Sequence, residues 1–375
     1  MSARSLSMLL LLGHGTCFQP HLRAPARQPS VASATTVHNA APRINVGGDV
    51  LRACPSPHLS AAASSNDASI KDTLLTSALI MLWYAASVVC NQSSKRLLKS
   101  MGAQSLTFAQ LLVSSGCGAA VLLLVAAAQD GENKSWLADA IPTSFAQLAD
   151  TSALAAAFTA GFVTLNACFD AMHVSLVMVL RAAEPLTTLC IGYAFFGTRV
   201  PLRRAAALLP VVAGCACSAV GTFRATGLGL GLAIVSNVCF SLRALLGKRL
   251  SAKYGTGPLE AFFQLCAVGA VLQALLLGVG SLSGLGPGLR QVLSAFADSP
   301  TRSMVLLNGA TFYAYLQLSW VCLGRMSAVS HSLANSMRRP ATIVAALLVA
   351  PVKLTILNWI GMGVACAGAL LYGVI

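Results

Sequence analysis

The chain is short of acid. Only 11 of its 375 residues are Asp or Glu, and charged residues of both signs make up just 10%. A soluble domain usually carries about 25% charged residues, so this chain cannot solvate the surface of a water-borne globule. Its 12 cysteines form no C-x-x-C pair and no Cys/His metal spacing. Most of them, such as Cys90, Cys117, Cys168, Cys190, Cys239 and Cys366, lie inside apolar runs as small hydrophobes. No metal site is expected, and no other cofactor. A glycine-rich phosphate loop is also lacking, which argues against ATP hydrolysis. A membrane enzyme acting on phospholipids would want an acid/base pair or a His/Asp cluster in a cleft. With Glu184 the one acid deep in an apolar run, the chain is not expected to be an enzyme.

Hydrophobic residues are plentiful, at 56% of the chain with a mean hydropathy of +0.73. They gather in blocks of about 20 residues, the length that crosses a bilayer as a helix. Ten such blocks run near 73–91, 104–128, 145–168, 172–196, 203–222, 226–247, 258–282, 303–323, 327–350 and 354–374. Barrel strands would alternate over segments of about ten residues, and these runs are continuous. Backbone groups in lipid must bond within their own segment, so helices are forced. The expected fold is an all-α membrane protein of ten transmembrane helices, with membrane lipid as its surroundings. The connections are short except 129–144 and 283–302, which are rich in Gly, Pro, Asp or Ser. The net charge of +14 is scattered through loops and the N-terminal tail rather than along a basic helix, so nucleic acid is not an expected partner.

Residues 1–72 read as a targeting presequence, largely disordered. Asp49 is the first acid, and the stretch before it is rich in Ala, Ser, Pro and Arg, the composition of an organelle transit peptide. The short apolar run Met8 to Leu12 and the Phe18 that follows resemble the two-part presequence of algae with complex plastids. Lys and Arg in the loops number eight on one side of the ten spans and seven on the other, which leaves orientation unreadable.

Two matches point to internal duplication. Val174-Ser175 leads to Pro185 as Val329-Ser330 leads to Pro340, each Pro eleven residues after its Val with a basic residue near the end of the run. Val212-Ala-Gly-Cys-Ala216 likewise pairs with Val364-Ala-Cys-Ala-Gly368. Offsets of 155 and 152 residues agree on one repeat, giving five-helix halves at 73–222 and 223–375. Five is odd, so the second half is expected upside down relative to the first, with the fourth and ninth spans facing each other at a midplane site.

A charge at mid-bilayer costs at least about 2.5–3.5 kcal/mol. Five lie within spans: Arg181, Glu184, Arg243, Arg338 and Arg339. Arg181 and Glu184, three apart on one helical face, suit an ion pair, and Arg243 could also take Glu184. The cations left over want an anion, and the guanidinium fork suits phosphate oxygens. Arg181 and Arg338/Arg339, from opposite halves, would close on one phosphate from both sides. An empty site of net positive charge tolerates water better than occlusion, so exchange of one anion for another would follow from electrostatics. Pro185 and Pro340 remove backbone hydrogen bonds and would let those helices flex. His173 and His331, at the starts of those spans, read as polar packing rather than ligands.

The residues carry a resemblance. Trp83-Tyr84 with Asn91 and Lys95-Arg96 resembles the W-Y-x6-N-x3-K-K/R pattern of the plastid triose-phosphate/phosphate translocator family, within the drug/metabolite transporter superfamily. Val174-Ser175 through Arg181-Ala-Ala-Glu-Pro185 is similar to its V-S-F-T-H-x-I-K-A-x-E-P, and Ser236 through Phe240 to Arg243 to its S-N-V-S-F-T-L-R. The likeness covers about 73–375 and implies a phosphate site at Arg181, Arg338, Arg339 and Tyr315. It implies a cavity lined by Phe162, Thr164 or Leu165, and Phe240, while Asn91 and Lys95 would gate a mouth or cap the first span. Arg181 stands where the family has Lys, and Phe162 where the triose-phosphate carriers have His. The implied activity is exchange of a phosphorylated small molecule for inorganic phosphate across a plastid inner envelope membrane. The cargo stays open among triose phosphate, phosphoenolpyruvate and sugar phosphates. The rival reading is a nucleotide-sugar transporter of an endomembrane, which would typically carry Lys-Thr in place of Arg338-Arg339.

Overall fold

The computed structural model describes residues 64–128, 140–197, 202–219, 225–283, 288–326 and 328–374, and among these every regular element is a helix. Of the described residues, 64–75 fall in one unit and those from Thr76 onward in another. Helix α1 (Ser64–Leu97) therefore begins upstream of the expected first span, and the rest of the presequence reading lies outside the described residues. Then follow α2 (Ala103–Ala128), α3 (Phe145–Ala171), α4 (Val174–Leu180), a 3-10 turn at Arg181–Ala183, and α5 (Glu184–Phe196). Next come α6 (Leu202–Ala206), α7 (Leu209–Ala219), α8 (Gly227–Tyr254), α9 (Pro258–Leu282), α10 (Gly288–Ala297), α11 (Ser299–Arg325), α12 (Ala328–Val349) and α13 (Ile356–Val374).

Local chemistry sets the boundaries. Ser144 caps α3 by accepting from the Gln147 amide at 3.1 Å, and Thr226 caps α8 by accepting from the Gly229 amide at 3.0 Å. Gly255, at φ 64°, ends α8 in the left-handed conformation that a side chain resists, and Pro258 opens α9 where its missing N–H is harmless. Among the described residues, six helical stretches are long and apolar enough to cross a bilayer: 72–97, 103–127, 145–171, 174–195, 227–254 and 258–282. Their outward faces show bare apolar side chains such as Met81, Leu123 and Leu275, which suit lipid rather than water.

Two expectations need correction, and one gains detail. The fourth expected span, 172–196, is found at 174–195 with a 3-10 turn inside it. The fifth, 203–222, is two pieces, α6 and α7, parted at Ala207 and Leu208 just before Pro210, which cannot continue a preceding helix. The connection 283–302 holds α10 and the start of α11, because Leu289, Val292 and Phe296 recur at helical spacing despite the surrounding Gly, Pro and Ser.

The helices pack in a patterned way: α8 lies along α3, α13 along α7, and α12 against α4 and α13, while α9 and α11 flank α2. The α7–α13 contact is backbone to backbone. A Cβ at Gly214 would run into the main chain of Ala365, and one at Gly361 would come within 2.6 Å of the Ser218 amide nitrogen. The small-residue runs matched in the sequence are thus the seam where these two helices meet.

Candidate substrate site

The site grows out of the break between α4 and α5. Pro185 has no N–H, so the Arg181 carbonyl four residues earlier accepts instead from the Glu184 amide of the 3-10 turn. Arg339 of α12 adds a second donor, its guanidinium donating to the same carbonyl. Nearby, Asn237 of α8 donates to the Leu180 carbonyl at 3.0 Å. The Glu184 carbonyl accepts from Thr187, Thr188 and Ser241 hydroxyls at 2.8, 3.0 and 3.3 Å. Unwound backbone in a membrane must find partners in this way.

The broken span presents Arg181 and Glu184 side by side. Arg181 Nη2 lies 2.8 Å from Glu184 Oε2, and Arg339 Nη2 reaches the same oxygen at 3.3 Å. The expected ion pair is therefore a three-membered cluster in which Arg339, rather than Arg243, is the second cation. Arg243 instead packs over the Phe158 ring at 5.3 Å. Arg338 points the other way from its neighbour. Its Nη1 donates to Ser87 Oγ of α1 at 2.9 Å, and its guanidinium stands 5.8 and 5.4 Å from the Trp83 and Tyr315 rings. Its Nε is buried without a hydrogen-bond partner among the described residues. Two arginines thus share one carboxylate, and Arg243 and Arg338 lie outside that ion cluster.

Aromatic rings fill the space between the cations. Phe162 meets Phe158, Phe240 and Phe312 edge to face, with centroids 4.8, 4.8 and 4.6 Å apart. Arg181 lies 4.1 Å over Phe240, and Tyr315 meets Phe312 at 5.8 Å. Gly161 allows the approach, since even a Cβ there would sit 3.2 Å from the Phe240 ring.

Residues 74–373 match the model of the Triose-phosphate Transporter family. This chain belongs to that family. Among its relatives, the chloroplast phosphoenolpyruvate/phosphate translocator 3 of Oryza sativa subsp. japonica is 28% identical, over 85% of this chain and 79% of the relative. The glucose-6-phosphate/phosphate translocator 2 of Arabidopsis thaliana is 25% identical over 77% and 72% of the two chains. The non-green-plastid triose phosphate/phosphate translocator of Brassica oleracea var. botrytis is 25% identical over 78% and 71%.

Not every candidate residue of this transporter lies at the cluster. Lys95 donates to three carbonyls at the end of α3, those of Phe169, Asp170 and Met172, the last two at 3.2 and 3.3 Å. It caps α3 rather than the first span, as a cation at a helix C-terminus should. Asn91 is buried one turn before it. Thr164 turns its hydroxyl back to the Ala160 and Gly161 carbonyls at 2.7 and 3.1 Å, while Leu165 is packed in the core. His331 lies outside the described side chains.

Sequence reasoning missed a buried amide network. Asn308 Nδ2 contacts the Cys90 carbonyl and the Ser93 and Ser94 hydroxyls at 2.9, 2.7 and 3.0 Å. Gln110 Nε2 donates to Asn308 Oδ1 at 2.9 Å, and Asn166 Nδ2 donates to Gln110 Oε1 at 3.0 Å. The signal was available: Gln110, Asn166 and Asn308 are amides inside apolar spans, and each needs a partner in lipid.

Proposed function

We propose that this transporter exchanges a small phosphorylated metabolite for inorganic phosphate, gripping the phosphate with Arg181, Arg338 and Arg339 and with Tyr315 at its edge. The observation that carries this reading is the convergence of arginines from α4–α5 and α12 on a single carboxylate oxygen, within 2.8 and 3.3 Å, with Arg338 beside them still lacking an anion. Desolvated guanidiniums in surplus favour an anionic cargo over a neutral one. Phosphate bound there would relieve the repulsion that opposes closing an empty site, so each crossing would need a load and exchange would be one for one.

Ten spans in two inverted five-helix halves, 73–222 and 223–375, suit this mechanism. The packing supports that arrangement: α2 with α11 has its counterpart in α9 with α3, while α7 with α13 and α4 with α12 each map onto themselves. The family's chloroplast relatives and the basic, acid-poor leader support a plastid inner envelope, the innermost membrane where the plastid is complex. The ring cluster around Phe162 offers few partners to sugar hydroxyls, and unpaired hydroxyls are expensive to bury. That supports a compact cargo of the phosphoenolpyruvate kind over a hexose phosphate.

The test is reconstitution into phosphate-loaded liposomes. Labelled phosphate uptake should require an internal phosphorylated partner, rank three-carbon above six-carbon cargo, and vanish in Arg338→Ala. Uptake of a nucleotide sugar without phosphate exchange would overturn the reading.

A further inference from the structure

At the α3–α4 connection one imidazole serves two helices from opposite ends of the chain. His173 Nδ1 accepts from the Ser175 amide at 3.3 Å and so caps the start of α4. Its Nε2 lies 3.1 Å from the Ala350 carbonyl, just past the end of α12. Because Nδ1 is the acceptor, the proton sits on Nε2, which donates to Ala350. A helix start is short of acceptors and a helix end is short of donors; the neutral ring supplies one of each. Burial holds the His173 pKa below the usual histidine value, and the charge of Lys95 from α1 adds to the shift. The adjoining Ser175 hydroxyl donates to the Ile343 carbonyl of α12 at 3.3 Å, and Val174 to Val179 are all buried. Beyond the break, at the start of α5, the Glu184 side chain stays 23% accessible.

We propose that His173 is a positioning residue for transport, locking the carrier shut on its α3–α4 face by tying α4 to the end of α12, so that the arginine cluster opens on the α5 side. The inference rests on reading the chain as a two-half exchanger. In it, the α4–α12 seam must part each time cargo is released on this face, and the His173–Ala350 bond must break with it. Any change that weakens the bond shifts the carrier toward the state open on this face.

Two substitutions separate the latch from the helix cap. An Asn carbonyl takes the place of Nδ1, so His173→Asn keeps the cap but cannot reach Ala350. A Gln amide reaches as far as Nε2, so His173→Gln keeps the tie. The measurement is hydrogen–deuterium exchange on the full chain in lipid nanodiscs without phosphate. H173N should raise exchange about fivefold in residues 174–180 and 343–355, the factor for losing one net hydrogen bond of about 1 kcal/mol. H173Q should stay near the parent. Equal exchange in all three proteins, equal increases in both variants, or a rise spread over the whole chain would overturn the proposal. No cargo is present, so a mistaken cargo class leaves this result untouched.

Discussion

Arg338 and Arg339 are neighbours in sequence with opposite surroundings. Arg339 shares the Glu184 carboxylate with Arg181 and donates to the Arg181 carbonyl. Arg338 has a serine hydroxyl and two aromatic faces, and a buried Nε with no hydrogen-bond partner among the described residues. The first corner is a finished ion cluster whose main service is to hold a broken helix in shape. The second is unfinished, with a cation poised on a hydroxyl and rings, which screen it weakly. Buried charge without a partner is costly, so the second corner is where an incoming anion gains most. On the proposed reading the two adjacent arginines divide the work: Arg339 touches the phosphate while also holding the site in shape, and Arg338 is the freer of the two to receive it.

The sharpest way to break that comparison is to remove each arginine in turn. Arg338→Ala should lower phosphate exchange by about 100-fold or more, the equivalent of one or two charge-assisted hydrogen bonds, with the thermal midpoint in detergent nearly kept. Arg339→Ala should lose exchange and stability together, by about 3 kcal/mol, because the Glu184 charge and the Arg181 carbonyl lose a partner. Equal stability losses in the two variants would erase the division. Glu184→Gln sharpens it further: the freed cations should bind phosphate tighter and release it slower, dropping both half-saturation and turnover, turnover by about tenfold. Phe162→His places a polar group among the rings and should raise the preference for hydroxylated three-carbon cargo by about 10-fold in competition assays. Lys95→Met should be mildest, losing about 1 kcal/mol from the α3 terminus, with exchange kept within about threefold.

Much of this division was legible in the chain and some was not. The three-residue spacing of Arg181 and Glu184 gives their pairing, because helix geometry alone puts them together. Pro185 marks the break for an equally local reason. Which second cation joins Glu184 is a tertiary fact: Arg339 arrives from 155 residues away, and the spacing of Arg243 speaks for it just as well. Lys95 shows the same limit. A lysine near the end of an apolar run announces that it will reach for something, but the carbonyls it reaches belong to α3. Helix α10 was hidden for another reason, since Gly, Pro and Ser around it outweighed the periodicity of Leu289, Val292 and Phe296. Asn308 lies at the far limit, because a lone amide in a span declares a need without naming the helices that meet it.

The glycine seam between α7 and α13 has a mechanical meaning. At Gly214 and Gly361 main chain rests on main chain, with only the short Ser218 hydroxyl beside it. Such a joint does not stretch by degrees; it is whole or it is pulled apart. On the proposed exchange mechanism the pair would travel as a single stiff board, and the bending would fall to thinner places such as the 3-10 turn at Arg181–Ala183. In a saturation library, positions 214 and 361 would stand out as empty columns, intolerant even of alanine.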